Sequence, residues 1–170
     1  SYNADISEPI VASYRGNLVF TAGPPSGGGI TLLTALNILS FFDLKKFNSD
    51  SAITYHLISE ALRRGHNNRS HFVGDPDYFD VPVNQLLSKE RTIELAKTID
   101  IKKATKSTVV KPLELIKESR DTTHYSIIDK MGNAVSNTYT LGYSFGSGVT
   151  IPGTGILMNN QMNNFAYRYG

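Results

Sequence analysis

An α+β fold follows from three patterns in the sequence. Two segments have the chemistry of antiparallel hairpins, three stretches carry apolar residues at helical spacing, and a polar Lys-rich run separates the helices from the second hairpin. The first hairpin is expected from Ile10 to Ala12 and from Asn17 to Thr21, flanking Tyr14-Arg15-Gly16. A Gly- and Pro-rich bend, Gly23 to Gly29, leads into Leu32, Leu33, Leu36, Leu39 and Phe42, whose spacing predicts a mostly buried helix with no breaker inside it. Ser49 or Asp50 is placed to cap a second helix with Ile53, Leu57, Ile58, Ala61 and Leu62 on one face. A third helix is expected from Ser88 to Ile99, with Ile93, Ala96 and Ile99 inward. From Asp100 to Asp121 the pattern dissolves into Lys102, Lys103, Lys106, Lys111 and Lys117 with Pro112. That segment reads as a mobile tether, because it carries little apolar surface to offset the entropy of ordering it.

The second hairpin is the sharper signal. Thr123 to Ile128 and Ala134 to Thr140 are rich in β-branched and aromatic residues, and Asp129-Lys130-Met131-Gly132-Asn133 between them is turn chemistry. With Lys130, Met131 and Gly132 as a three-residue loop and Gly132 in the left-handed position such loops require, Asp129 faces Asn133. The same register puts Thr122 opposite Thr140. Directly opposed residues have Cβ atoms about 4.5 to 5.5 Å apart, so one threonine hydroxyl is in reach of the other. A threonine hydroxyl is a poor nucleophile without an adjacent base, and one solution is for the residue's own freed α-amino group to be that base. That solution requires a chain cut between Asp121 and Thr122.

These residues resemble a known family. Thr122-Thr123-His124-Tyr125-Ser126, Asp129, Gly132-Asn133-Ala134-Val135 and Thr138-Tyr139-Thr140 are similar to the gamma-glutamyltranspeptidases. Phe145-Gly146-Ser147-Gly148, Gly153-Thr154-Gly155-Ile156-Leu157 and Asn159-Asn160-Gln161-Met162 with Phe165 continue the likeness into the start of that family's small subunit. Upstream, Tyr14-Arg15-Gly16, Pro24-Pro25-Ser26-Gly27-Gly28, Arg69-Ser70 and Gly74-Asp75-Pro76 resemble the end of its large subunit. The resemblance therefore implies residues 1–121 as large-subunit sequence and 122–170 as small-subunit sequence, within one shared domain. It implies an N-terminal nucleophile hydrolase, an αββα sandwich of which this chain is an incomplete portion, whose precursor cleaves itself at Asp121/Thr122.

By the same resemblance, Thr122 is the nucleophile, Thr140 its hydrogen-bonding partner, and Gln161 a contact to the substrate α-amino group. Two positions depart from the family pattern: Gly142 replaces an asparagine, and Asn164 replaces the aspartate that pairs with the substrate α-ammonium. An Asp to Asn change keeps an acceptor and removes its charge, and charge-assisted hydrogen bonds are about twice as strong as neutral ones. The implied activity is cleavage of the γ-glutamyl amide of glutathione and related compounds, with transfer to water or to an amino acid or peptide. The alternatives are a related acylase of altered acyl specificity and an inactive truncated remnant. The family also uses residues absent here, an early arginine, a later serine pair and a Gly-Gly oxyanion hole, so the remaining large- and small-subunit segments are implied partners. A periplasmic or extracellular location is implied by resemblance alone.

Composition narrows the rest. A net charge of +2, from 17 basic and 15 acidic residues, gives no electrostatic case for nucleic acid. There are no cysteines, which removes disulfides, thiolate chemistry and Cys-based zinc sites. His56, His66, His71 and His124 do not fall at zinc-site spacings, and no cofactor or metal is expected. No apolar run approaches the roughly 18 residues of a membrane span, and no signal core is visible. The Pro24 to Gly29 loop before a helix lacks the Lys and Ser/Thr ending of a phosphate loop and reads as a tight structural turn. His124 alternates onto the Thr122 face and is expected to position or pack rather than to form a catalytic dyad.

Overall fold

The computed structural model describes residues 6–106 and 122–164, except for the side chains of Asn163 and Asn164. These residues form two compact units, one on each side of the undescribed segment. The first unit opens with strands β1 (Ile10–Tyr14) and β2 (Asn17–Thr21), paired antiparallel from Ile10 opposite Thr21 to Tyr14 opposite Asn17. The first strand runs two residues further than its sequence pattern suggests. The connection is a two-residue turn, Arg15-Gly16, with both residues at positive φ, and such turns match the twist of the strands they join.

Helix α1 spans Gly27–Leu39, which corrects the expectation at both ends. Its first turn is made from glycines assigned to the bend, because a Cβ on Gly29 would collide with the carbonyl oxygen of Ala22 and come within 2.7 Å of the Thr21 hydroxyl. These glycines permit close approach of helix to strand. The helix stops before Phe42, and Leu32 is exposed, whereas Ile30, Leu33, Ala35, Ile38 and Leu39 are buried. Phe42 packs against the core from the following turn.

Helix α2 (Ala52–Phe72) is capped by Ser51, one or two residues beyond the expected cap, and the Ser51 hydroxyl accepts from the Thr54 amide at 3.4 Å. Leu57 and Ala61 are buried and Ile53 and Ile58 pack against them, while Leu62 faces outward. A single turn, α3 (Val83–Leu86), was not legible in the sequence. Helix α4 (Lys89–Lys97) starts at the expected Ser88, whose hydroxyl accepts from Arg91 at 3.1 Å. It ends two residues before Ile99, where the Thr98 hydroxyl donates to the Leu95 carbonyl at 2.6 Å and competes with continuation of the helix. Leu95, Ala96 and Ile99 join Ala35, Ile38, Leu39, Leu57 and Ala61 in one apolar core, and Ile93 is only half-buried.

The Lys-rich segment is described only through residue 106, and that beginning is anchored. His56 Nε2 lies 2.8 Å from the Asp100 carbonyl oxygen. The Thr105 amide donates to Glu60 Oε1 at 3.1 Å and its hydroxyl to Glu60 Oε2 at 2.6 Å. Glu60 is itself almost fully buried and pairs at 2.7 Å with Arg64, also buried, which donates to the Thr98 carbonyl as well. Burial alone would raise the Glu60 carboxyl, but bonds from the Thr105 hydroxyl, Arg64 and the Thr105 amide, with the Arg64 charge, pull it down to about 2. Apolar content gave no sign of this polar anchor. The rest of the expected tether lies outside the described residues.

The second unit consists of strands β3 (Thr122–Ile128) and β4 (Ala134–Thr140), a long loop, and a 3-10 turn, Gln161–Asn164. Among the described residues, no helix is long and apolar enough to cross a membrane.

Candidate active site

The site is built on the turn of the second hairpin. Asp129 Oδ1 accepts from the Met131 amide at 2.9 Å and the Asn133 amide at 2.8 Å, and its Oδ2 accepts from the Asn133 side chain at 2.7 Å. Gly132 sits at φ +85° and donates to the Asp129 carbonyl at 3.1 Å. The Asn133 side-chain amide and then its backbone N–H hold the Asp129 carboxyl below the usual carboxylate range. A turn pinned at this many points leaves one register, and it is the register read from the sequence: Ile128 opposite Ala134 and Thr122 opposite Thr140.

The Thr122 hydroxyl donates to the Thr140 hydroxyl oxygen at 3.2 Å. Thr140 Oγ1 also accepts from the Gly142 amide at 3.0 Å, so its orientation is fixed by the backbone just beyond the strand. Thr122 is exposed, Thr140 half-buried and Gly142 buried.

Alternation gives the hairpin two unlike faces. Thr122, His124 and Ser126 share one with Thr140, Thr138 and Ser136, and the His124 ring ties this face together. Its Nδ1 lies 2.8 Å from the Thr138 hydroxyl, and its Nε2 lies 3.3 and 3.1 Å from the hydroxyls of Ser126 and Ser136. The other face presents Tyr125, Ile127, Val135 and Tyr139, all exposed.

After β4 the chain runs out and returns. Ser147 N–H donates to the Met158 carbonyl at 2.9 Å, Met158 N–H to the Val149 carbonyl at 2.8 Å, and Thr150 bridges Leu157. The return brings Asn160 to the end of β4, where its amide donates to the Leu141 carbonyl at 2.9 Å and its Oδ1 accepts from the Tyr143 amide at 3.0 Å. Gln161 follows at once, half-buried, with its amide bonded to Asn159 Oδ1 at 2.9 Å.

Thr122, Thr140 and Gly142 are thus brought together, and Gln161 is adjacent in sequence to a residue that touches their loop. Asp121 and the Asn164 side chain lie outside the described residues. Sequence reasoning took Asn160 only as part of the Asn159 to Asn164 run, which the family resemblance placed along the substrate pocket, and gave it no role of its own. Among the described residues, no group of three or more His, Asp or Glu side chains is placed to hold a metal ion.

Two antiparallel hairpins and a set of helices, with a pair of hydrogen-bonded threonines at the end of the second hairpin, are an incomplete portion of an N-terminal nucleophile hydrolase fold. Structural comparison agrees. The chain superposes on gamma-glutamyltranspeptidase from Helicobacter pylori with a TM-score of 0.63 and 35% identity, over 66% of this chain and 32% of that one. It superposes on cephalosporin acylase from Bacillus halodurans with a TM-score of 0.75 and 32% identity, over 97% of this chain and 28% of that one.

The family profile described as gamma-glutamyltranspeptidase matches residues 1–169, and the chain belongs to that family. It is 43% identical over 171 aligned residues to the glutathione hydrolase proenzyme of Escherichia coli (strain K12), covering 100% of this chain and 30% of that protein. It is 38% identical to the acylase ACY 1 proenzyme of Pseudomonas sp. (strain SE83), covering 97% of this chain and 29% of that protein. The chain thus spans about three-tenths of the length of these relatives.

Proposed function

We propose that this chain carries the nucleophile and part of the pocket of a self-processing threonine amidohydrolase and acyltransferase acting on γ-glutamyl amides such as glutathione. The observation that carries the reading is the 3.2 Å bond from Thr122 to Thr140 in a family member. In the precursor, Thr122 Oγ attacks the Asp121 carbonyl carbon, the peptide C–N bond breaks, and the acyl group passes from nitrogen to oxygen. Water then hydrolyses the ester, leaving a carboxylate on Asp121 and a free amine on Thr122. With an ordinary pKa of roughly 7.7 to 8.0, an α-amine is a suitable general base near neutral pH.

In turnover the amine takes the hydroxyl proton, Oγ attacks the γ-carbonyl, and the leaving amine departs protonated. Water or an acceptor amine then releases the γ-glutamyl group from Thr122, and Thr140 orients the attacking oxygen throughout. Gln161 and Asn164 are the proposed contacts to the substrate α-amino group, with Gly142 beside them. The two units, 1–121 and 122–170, are proposed to belong to one domain completed by large- and small-subunit segments beyond this chain.

Intact-mass measurement on the full-length protein tests the reading. Two fragments are expected from the parent and one chain from Thr122→Ala, whereas an uncleaved parent would indicate an inactive remnant. A second reading, an acylase with relaxed acyl selectivity, is favoured by Gly142, by Asn164 and by the likeness to two acylases. Comparable hydrolysis of γ-glutamyl and des-amino glutaryl anilides would support it, and strict γ-glutamyl preference would exclude it.

A further inference from the structure

We infer that Asn160 is a positioning residue for the nucleophile, acting through the loop that holds Thr140; this rests on the threonine-nucleophile reading above. The Thr140 hydroxyl is a rotor, and the position of the Thr122 oxygen depends on where that rotor points. Its oxygen accepts from the Gly142 amide at 3.0 Å and from the Thr122 hydroxyl at 3.2 Å, so the Gly142 N–H sets the acceptor geometry that Thr122 meets.

Gly142 is held in turn. It lies at φ +93°, a conformation that residues with a Cβ rarely adopt, and nothing in its own side chain can secure that backbone. Asn160 supplies the restraint from across the loop. Its Oδ1 accepts from the Tyr143 amide at 3.0 Å and lies where a Cβ on residue 142 would project, while its backbone amide donates to the Leu141 carbonyl at 2.9 Å. The two successive amides at Gly142 and Tyr143 are therefore satisfied by Thr140 Oγ1 and Asn160 Oδ1. The strand-like return from Gly146 to Asn160 delivers the asparagine to this point. The chain of restraint runs from Asn160 to Tyr143 and Gly142, from Gly142 to Thr140, and from Thr140 to Thr122.

The inference separates by side chain and by kinetic constant. In the full-length protein, Asn160→Ala removes the acceptor, whereas Asn160→Asp keeps an oxygen in the same place. With a γ-glutamyl anilide, Asn160→Ala is expected to lower kcat about tenfold or more with KM within about twofold, since misplacement of a reacting group by about 1 Å is enough for such a loss. Self-cleavage, followed by intact mass, slows in parallel. Asn160→Asp restores kcat to within about threefold of the parent if the acceptor is what matters. Backbone amide exchange over residues 140–146 supplies a readout independent of activity, and in Asn160→Ala it accelerates at Gly142 and Tyr143 and reverts in Asn160→Asp.

A rise in KM with kcat intact would make Asn160 a substrate contact and overturn the inference. Equal losses in the two variants, or unchanged exchange, would overturn it as well. A parent that neither cleaves itself nor turns over substrate would sink the threonine-nucleophile reading instead, and the exchange comparison alone would then decide whether Asn160 holds the loop.

Discussion

The unit through residue 106 and the unit from Thr122 onward are held together by different means. In the first, α1, α2 and α4 bury a continuous apolar cluster, and a buried Glu60–Arg64 pair is satisfied by surrounding hydrogen bonds. In the second, Tyr125, Ile127, Val135 and Tyr139 are exposed, and order comes from turn geometry and polar contacts along one face. The proposed nucleophile, Thr122, therefore sits on the part with the weaker means of holding itself. Register and hydrogen bonding can orient a hydroxyl, but they contribute far less free energy than apolar burial.

Substitutions in each unit test that contrast. The largest expected effect on stability is at Glu60, because Glu60→Gln leaves the buried Arg64 charge unpaired, a change that costs about 3 to 5 kcal/mol. Its pH dependence has a definite sign. The folded pKa, about 2, lies below the ordinary 4.5, so the stabilisation is complete above pH 4.5 and is lost as pH falls towards 2. The shift corresponds to about 3 kcal/mol. Urea unfolding of parent and Glu60→Gln between pH 6 and pH 2 checks this, and two curves that stay parallel would contradict it.

Next is Leu57→Ala, expected to cost about 2 to 5 kcal/mol by creating a cavity, against less than about 0.5 kcal/mol for Ile127→Ala in this chain. Denaturant titration of both variants makes the comparison. A cost at Ile127 equal to that at Leu57 would mean the hairpin's apolar face is covered, and the contrast between units would fail. The smallest effect is expected at the turn. Asn133→Ala removes the side-chain donor to Asp129, so the Asp129 pKa should rise back towards 3.8 in an NMR titration; no change would show the turn is held by its backbone amides alone.

What the sequence disclosed, and what it hid, divides along similar lines. The second hairpin was readable because its register is set locally: Asp129, Gly132 and Asn133 specify a three-residue loop, and the Thr122–Thr140 pairing follows by counting. Helix ends were less readable because contacts distant in sequence decide them. Gly27 and Gly29 look like a bend until Ala22 and Arg69 are known to lie against them, and Leu32 fits the helical spacing yet faces out. Glu60 and Arg64 have the i, i+4 spacing of an ordinary surface pair, and nothing in that spacing marks them as buried. The contacts of Asn160 with Leu141 and Tyr143 were hidden for the same reason, since they depend on a loop that leaves β4 and comes back.

The bonds at Thr105 have one more implication. They stake down the upstream end of the stretch that runs to Thr122, at a place set by a buried carboxylate. Under the proposed cut at Asp121/Thr122, the new carboxyl end would remain covalently joined to that stake. With a contour of about 3.3 to 3.6 Å per residue, the stretch between them bounds how far the released end can withdraw. Loosening the Glu60 knot would lengthen the leash from its root, at a point well away in sequence from the proposed scissile bond.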